Sequence, residues 1–371
     1  MPKPIVGFAR LALDDLRGRT SPAASLETRL LAAEAWLCRA QDASSDGGVS
    51  YGYSLRGGWR PSYPETSGYI ATTFLRLARR RDPAYAERAE RVLRWLLAIQ
   101  NADGSYANPR YGREGIVFDT GQVLFGLVRG YQTTGAPELL TAARRAAGWL
   151  TRIAGGDLRW TRNEHLDTPH VYNTRTAWAL LLMNELEFDP LREAVVRSNL
   201  DWALDEQQPS GFFDRCGFRR GRPPFTHTIA YTARGLLESG MLLGEHRYVN
   251  AARRCAEAML LHLSDDGHLP SMVTVEGAPA SSSCCLTGNC QFAIVWARLH
   301  TCSGSKNYLM GTVRALDHVM ATQDLDADDP GIRGGIKGSQ PVWGRYSPML
   351  LPNWAAKFFV DAMWLRKDLM P

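Results

Sequence analysis

The chain has 371 residues, 45% of them hydrophobic and 22% charged. That balance belongs to an ordinary globular chain and excludes collagen-like, disordered and coiled-coil classes. Lys and Arg number 43 against 38 Asp and Glu, a net +5, too mild an excess for the dense basic footprint of a nucleic-acid binder.

The opening stretch, MPKPIVGFARLALDDLRGR, has a short apolar run broken by Arg10, Asp14 and Asp15. It lacks the length that a signal peptide or membrane span needs, so a cytoplasmic protein with no membrane span is expected. Seven cysteines, an odd number in a chain with a large core, point to reduced thiols rather than a disulfide scaffold.

From Leu26 onward two segment types alternate. The first recurs as LLAAEAWLCRAQD, RAERVLRWLLAIQNADGSY, AARRAAGWLTRIAGGDLRW, VVRSNLDWALDEQQPSGFF, AARRCAEAMLLHLSDDGHL and TVRALDHVMATQDLDADD, with Trp36, Trp95, Trp149, Trp202, Met259 and Val319 at equivalent positions, 53 to 60 residues apart. Each is amphipathic at helical spacing and ends in a polar turn. Between them lie TSGYIATTFLRLA, DTGQVLFGLVRGY, NTRTAWALLLMNE, HTIAYTARGLLES, LTGNCQFAIVWAR and PNWAAKFFVDAMW. These are helical in length but apolar around more of their circumference, as for helices covered on most sides. They begin at Ser67, Thr120, Thr174, Thr228, Thr287 and Asn353, several of which are candidate N-caps.

Six such pairs close most simply as an all-α (α/α)6 toroid, apolar helices inside and amphipathic helices outside, forming one domain over residues 1–371 with repeats from about 26 to 365. Strand pairing is expected only as accessory hairpins, for example in GGVSYGYSLRGGWRPSY. Connections from inner to outer helices are short and those from outer to inner helices long, so six long loops and six inner-helix N-termini share one rim.

The Gln and Asp-Gly endings of the outer helices, as in IQNADGSY at Gln100 to Gly104, resemble the repeat of terpenoid-cyclase and protein-prenyltransferase toroids. The alternating helices with long rims also resemble the carbohydrate-active (α/α)6 group. That group includes the glucuronyl carbon-5 epimerase catalytic domain, unsaturated glucuronyl hydrolases, several polysaccharide lyases and N-acylglucosamine 2-epimerases. The resemblance spans Leu26 to Leu365 and implies a carbohydrate-active enzyme; it specifies a fold better than a reaction.

The densest polar constellation on the rim is His170, Tyr172, Asn173, Thr174 and Arg175 in one repeat with His227, Tyr231 and Arg234 in the next. Removing the proton alpha to a uronate carboxylate needs a base, for which Tyr or His serves, and a group that neutralises the carboxylate, for which Arg or Asn serves. The leading expectation is therefore lyase or epimerase chemistry on a uronic-acid-containing oligo- or polysaccharide. His170, Tyr172, His227 and Tyr231 are the catalytic candidates, and Asn173, Arg175 and Arg234 hold substrate. The runner-up is a glycoside hydrolase working through rim carboxylates such as Glu65 and Asp119, although Asp before a helix is also a favoured cap.

Tyr63, Trp59, Trp343 and Tyr346 are candidate sugar-stacking residues, and Asn289, Arg333 and Lys337 complete the substrate-binding set. A noncatalytic glycan-binding module and an isoprenoid cyclase-like protein are the remaining alternatives. The second would depend on the Asp326–Asp329 acid motif, which occupies a turn. Cys284, Cys285 and Cys290 lack the paired spacing of strong zinc motifs, so no metal and no cofactor are expected. The oligomeric state is left open.

Overall fold

The computed structural model describes residues 4–18 and 20–370; residues 1–3, 19 and 371 of the 1–371 domain reading lie outside the described residues. A first helix, α1 (Pro4–Leu16), precedes the repeats. The outer helices are α2 (Leu26–Asp42), α4 (Tyr85–Ile99), α6 (Pro137–Ile153), α8 (Pro190–Asp205), α10 (His246–Leu260) and α12 (Lys306–Ala321). The inner helices are α3 (Pro64–Arg80), α5 (Val117–Thr134), α7 (Thr174–Leu186), α9 (Thr226–Leu243), α11 (Leu286–Ser303) and α13 (Asn353–Leu369). Neighbouring inner helices touch in cyclic order, and α13 meets α3 to close the ring. The first outer helix, α2, packs on the last inner helix, α13, so the two ends of the repeat array form one seam. The chain has the (α/α)6 toroid fold.

The Gln endings of the outer helices have a structural reason. Gln41, Gln100, Gln207 and Gln323 each donate their amide to a carbonyl of the next outer helix: Arg88 at 2.9 Å, Ala142 at 2.9 Å, Ala251 at 2.9 Å and Arg29 at 3.1 Å. Each also bonds the carbonyl of a turn glycine, Gly47, Gly104, Gly211 or Gly334. One side chain thus bonds two backbone carbonyls, one in the turn after its own helix and one in the body of the next outer helix, and ties adjacent repeats together. Asn289 does the same work at the fifth turn, donating to the carbonyls of Gly267 at 2.8 Å and Ala315 at 3.3 Å.

The residues that open the inner helices are not their caps. The helices start two or three residues earlier in α3, α5 and α9, and side-chain caps are absent from the first turns of α3, α5, α7, α9 and α13. Ser67 and Thr120 instead accept the backbone N–H of Val49 and Tyr106 from the long loops, each at 3.0 Å. Asn353 donates to the Ser50 carbonyl at 2.8 Å. Already inside the first turn, these side chains face the rim loops, and fixing the loops gains more than a cap.

The loops carry short strands: β1 (Gly52–Ser54), β2 (Gly58–Trp59), β3 (Cys284–Cys285), β4 (Ser339–Gln340) and β5 (Leu350–Pro352). The expected β1–β2 hairpin forms, but β5 joins it, pairing Tyr53 with Leu351, and β3 pairs antiparallel with β4. The long segment 322–352 is thereby held against two other loops. It is also held from α1, because buried Asp15 pairs with Lys337 Nζ at 2.6 Å and accepts the Val342 N–H at 2.7 Å. No helix among the described residues is long and apolar enough to cross a membrane.

Candidate functional site

The six long loops enclose a cavity of about 700 Å³ over the N-terminal ends of the inner helices. Its position follows from two helices that approach closely. A Cβ on Gly68 of α3 would lie 2.5 Å from the Val123 Cα of α5, and one on Gly126 of α5 would lie 2.4 Å from the Gly68 carbonyl oxygen. Only hydrogen side chains permit this contact, and it draws the first turns of α3 and α5, with Glu65 and Asp119, to the same wall.

Those two carboxyls meet through Tyr63. The Tyr63 hydroxyl donates to Asp119 Oδ2 at 3.5 Å and accepts from the Asn108 amide at 2.5 Å. Burial pushes the Glu65 carboxyl up to about 7, against the opposing pulls of Tyr63 and of the Arg175 charge. Asp119 is raised well above the carboxylate range, first by burial and then by the neighbouring Glu65 charge. Two acids in one low-dielectric wall cannot both ionise cheaply, so they titrate as a pair that keeps a proton at neutral pH. A third buried carboxyl, Glu164, is also raised by burial, and both its oxygens accept from the Asn173 amide at 2.7 and 2.8 Å.

On the same cavity stand His227 and Tyr231, ring centroids 4.4 Å apart, with Tyr346 5.0 Å from His227. Burial and the Arg175 charge lower His227 to about 3, so it is neutral throughout the physiological range. Its Nδ1 and the Tyr231 hydroxyl are buried without hydrogen-bond partners. Both atoms are covered by neighbouring side chains, with Gln291 beside the two of them and Tyr69 beside the Tyr231 hydroxyl, while the rings themselves line the cavity. Tyr172 completes the floor, edge-on to Phe118 at 5.1 Å and stacked on His170 at 4.4 Å. At the mouth, Arg110, Arg219, Arg222 and Arg345 line the cavity. None of the four has a carboxylate partner among the described residues, and Arg110 lies 4.7 Å over the Tyr51 ring.

Of the residues expected at the site, Tyr63, Glu65, Asp119, Tyr172, His227, Tyr231 and Tyr346 are brought together here, and Trp343 lines an adjoining groove. The others are placed elsewhere. His170 lies behind Tyr172, its Nε2 2.8 Å from the His165 carbonyl. Asn173 is engaged by Glu164. Arg175 points into the toroid axis, caged by the rings of Tyr69, Phe125, Trp178, Tyr231 and Phe358 at 5.0 to 5.7 Å, its Nε on Gln122 at 2.6 Å. Arg234 shares a helix face with Tyr231 but sits about 4.5 Å deeper along the axis, given ~1.5 Å per residue, where it pairs with Glu238 at 3.2 Å.

Trp59 packs on Trp36 at 5.1 Å, and Asn289 closes a repeat seam. Arg333 is exposed, and Lys337 is taken by Asp15. Within the acid motif, Asp329 accepts from the Tyr53 hydroxyl at 2.6 Å, holding a loop. Burial pushes the Cys284 thiol up to about 12, away from the thiolate that metal ligation uses. Among the described residues no group of three or more His, Cys, Asp or Glu could hold a metal ion.

Sequence reasoning left out Arg110, Arg219, Arg222 and Arg345 as site residues, as well as Asn108, Phe118 and Trp354. The available signal for the arginines was their place in loops rich in Gly and Pro, where no helical partner is in register to neutralise them.

No family model matches the sequence, and no curated protein matches it. Solved structures match the fold. An unsaturated glucuronyl hydrolase specific for heparin superposes with a TM-score of 0.75 at 14% identity, covering 93% of this chain and 97% of that one. An unsaturated glucuronyl hydrolase from a Bacillus species, responsible for the degradation of glycosaminoglycan, gives 0.71 at 15%, covering 91% and 96%. A cellobiose 2-epimerase from Bacillus thermoamylovorans gives 0.69 at 12%, covering 97% and 99%. At these identities the likeness is one of fold.

Proposed function

We propose that the protein is an enzyme acting on a uronic-acid-containing oligo- or polysaccharide, and that it works hydrolytically through the Glu65–Asp119 pair. The observation that carries this reading is the pair itself, two carboxyls in one wall of a cavity with the Tyr63 hydroxyl donating to Asp119 and standing beside Glu65. Glycoside cleavage requires an acid that keeps its proton near neutrality and a second carboxylate that loses it. Asp119, the more strongly raised, is the acid that protonates the leaving oxygen. Glu65, at about 7, is the base or nucleophile.

The four unpaired arginines at the mouth favour a carboxylate-bearing substrate, since guanidinium groups recognise carboxylates in a bidentate way. They take the part that Arg175 and Arg234 cannot from their buried positions. Arginines and carboxyls in the wall argue against an isoprenoid, which requires an apolar chamber. The names of the structural neighbours, which include hydrolases of unsaturated glucuronyl groups, add support at the level of reaction class.

The test is release of new reducing ends, without new unsaturated uronate absorbance, from uronate oligosaccharides by the wild type and by Asp119→Asn and Glu65→Gln. Each substitution is expected to lower turnover by about 10²–10⁴. Undiminished turnover in both variants refutes the assignment, and binding without product in the wild type favours a glycan-binding module.

A second reading rests on His227 and Tyr231 lining the cavity with their rings 4.4 Å apart, a neutral base and a phenol side by side, suited to proton abstraction alpha to a carboxylate in a lyase or epimerase. It predicts incorporation of solvent deuterium into recovered substrate, or unsaturated uronate absorbance, lost in His227→Gln and kept in Glu65→Gln.

A further inference from the structure

Beside the cavity lies a second chamber of about 780 Å³, lined by the loops that carry β1 and β2 and by residues 343–350. Tyr51, Tyr63, Arg110 and Ser347 line both chambers, so the two adjoin along these side chains. A pocket of ~300–1,000 Å³ suffices for a drug-sized ligand, so the second chamber exceeds what a single reacting sugar needs.

Its lining has a definite chemistry. Arg56, Arg60 and Arg110 contribute to it and no Asp or Glu does. None of the three makes an ion pair among the described residues, whereas the outer and inner helices spend arginines such as Arg80, Arg88, Arg144, Arg197 and Arg247 on carboxylates. Cations left unpaired on one groove, in a protein that pairs them elsewhere, set up a field for an anion. The Trp343 indole stands at the wall with 39% of its surface exposed. A half-exposed indole beside cations is unfavourable for a core role and suited to stacking on the C–H face of a sugar ring.

We infer that this second chamber binds the continuation of an acidic oligosaccharide, the sugars beyond the reacting one, with Trp343 stacking on a ring and Arg56 and Arg60 meeting its carboxylates. The inference rests on the function proposed above and makes it more specific: the protein takes uronate oligomers rather than single sugars or disaccharides. Arg110, held over Tyr51 at the junction, contacts the linkage between the two chambers.

Calorimetric binding of uronate oligosaccharides of two, four and six residues, with neutral gluco-oligosaccharides of equal length as controls, tests it. In the wild type, affinity for the uronate series rises at least tenfold from two residues to four. The double substitution Arg56→Gln with Arg60→Gln, and separately Trp343→Ala, weaken tetrasaccharide binding by about threefold to tenfold and leave the disaccharide unchanged. All three positions are exposed, so the fold tolerates the changes.

Affinity that does not vary with length, equal gains for the neutral series, no binding of any oligomer, or equal loss on disaccharide and tetrasaccharide overturns the inference. Turnover of a uronate substrate with no length dependence overturns it while leaving the proposed reaction standing. Length-dependent uronate binding without turnover does the reverse.

Discussion

Replacing Tyr63 with Phe removes one oxygen from the site and changes the charge state of two carboxyls. The Tyr63 hydroxyl pulls both Glu65 and Asp119 down by bonding their ionised forms. A hydrogen bond to a charged group contributes roughly 1.5–3 kcal/mol at good geometry, but the contact to Asp119 is 3.5 Å long, so a third to a half of that is the reasonable share. At ~1.36 kcal/mol per pKa unit, the pair should titrate about 0.5–1 unit higher in Tyr63→Phe. Asn108, freed of Tyr63, keeps its own pull on Asp119, so the shift is shared across the pair. Infrared or carbon-13 NMR titration of the carboxyl carbons reads this without substrate. On a turned-over substrate, the acidic limb of kcat/KM moves upward from about 7 by the same amount. A limb that stays put or moves down refutes the picture of two acids bridged by one hydroxyl.

Glu65→Gln should alter the pH dependence of stability. With a folded pKa near 7 against an ordinary 4.5, the protonated form is favoured in the folded chain. Its contribution is therefore full below about 4.5 and is lost as pH rises through 7. The variant then gains about 1–3 kcal/mol over the wild type at pH 8 and nothing at pH 4, less than the full shift because Asp119 shares the titration; equal Tm differences at the two pH values contradict this. Gly68→Ala places a methyl 2.5 Å from Val123 Cα, a backbone atom that cannot swing aside. A loss of about 1–3 kcal/mol in urea unfolding, with the pair's titration moving toward that of an isolated carboxyl, is expected. Gln323→Leu removes a donor from the carbonyls of Gly334 and Arg29 at the closing seam and should cost about 1–3 kcal/mol, read as a lower denaturant midpoint with an unchanged slope. Asp15→Asn leaves Lys337 buried beside a neutral partner, so hydrogen exchange should quicken across residues 337–346 before the global transition.

What was legible follows from how each feature is written into the chain. The six helix pairs repeat a face every 53 to 60 residues, and a face that must be buried against its neighbours leaves a periodic record, so ring closure and the rim could be read directly. Tyr63, Glu65 and Asp119 were reachable as well, because a carboxyl in the first turn of an inner helix has to end near the rim.

Depth along a helix is less visible. Tyr231 and Arg234 share a face, yet one lines the cavity and the other pairs with Glu238 beneath it. Residue type misled in the same way for Arg175, whose charge faces five aromatic rings and acts on Glu65 and His227 only through space. α1 is too short and too interrupted to announce that Asp15 would reach across the fold to Lys337.

The rim arginines show where this kind of reading stops. Arg110, Arg219, Arg222 and Arg345 come from three different loops, with no period relating them, and as single residues they look like any solvated surface charge. Only closure of the ring brings them to one mouth, and only their lack of carboxylate partners distinguishes them from the arginines of the outer helices. The net charge of +5 gives no hint of this, because the two signs are sorted by position rather than by number: acids paired or protonated inside, cations unpaired at the opening. Substituting rim arginines should therefore change ligand affinity and its salt dependence while leaving stability within about 0.5 kcal/mol. The same change at Arg81, which binds Glu27 and Glu34, should do the opposite.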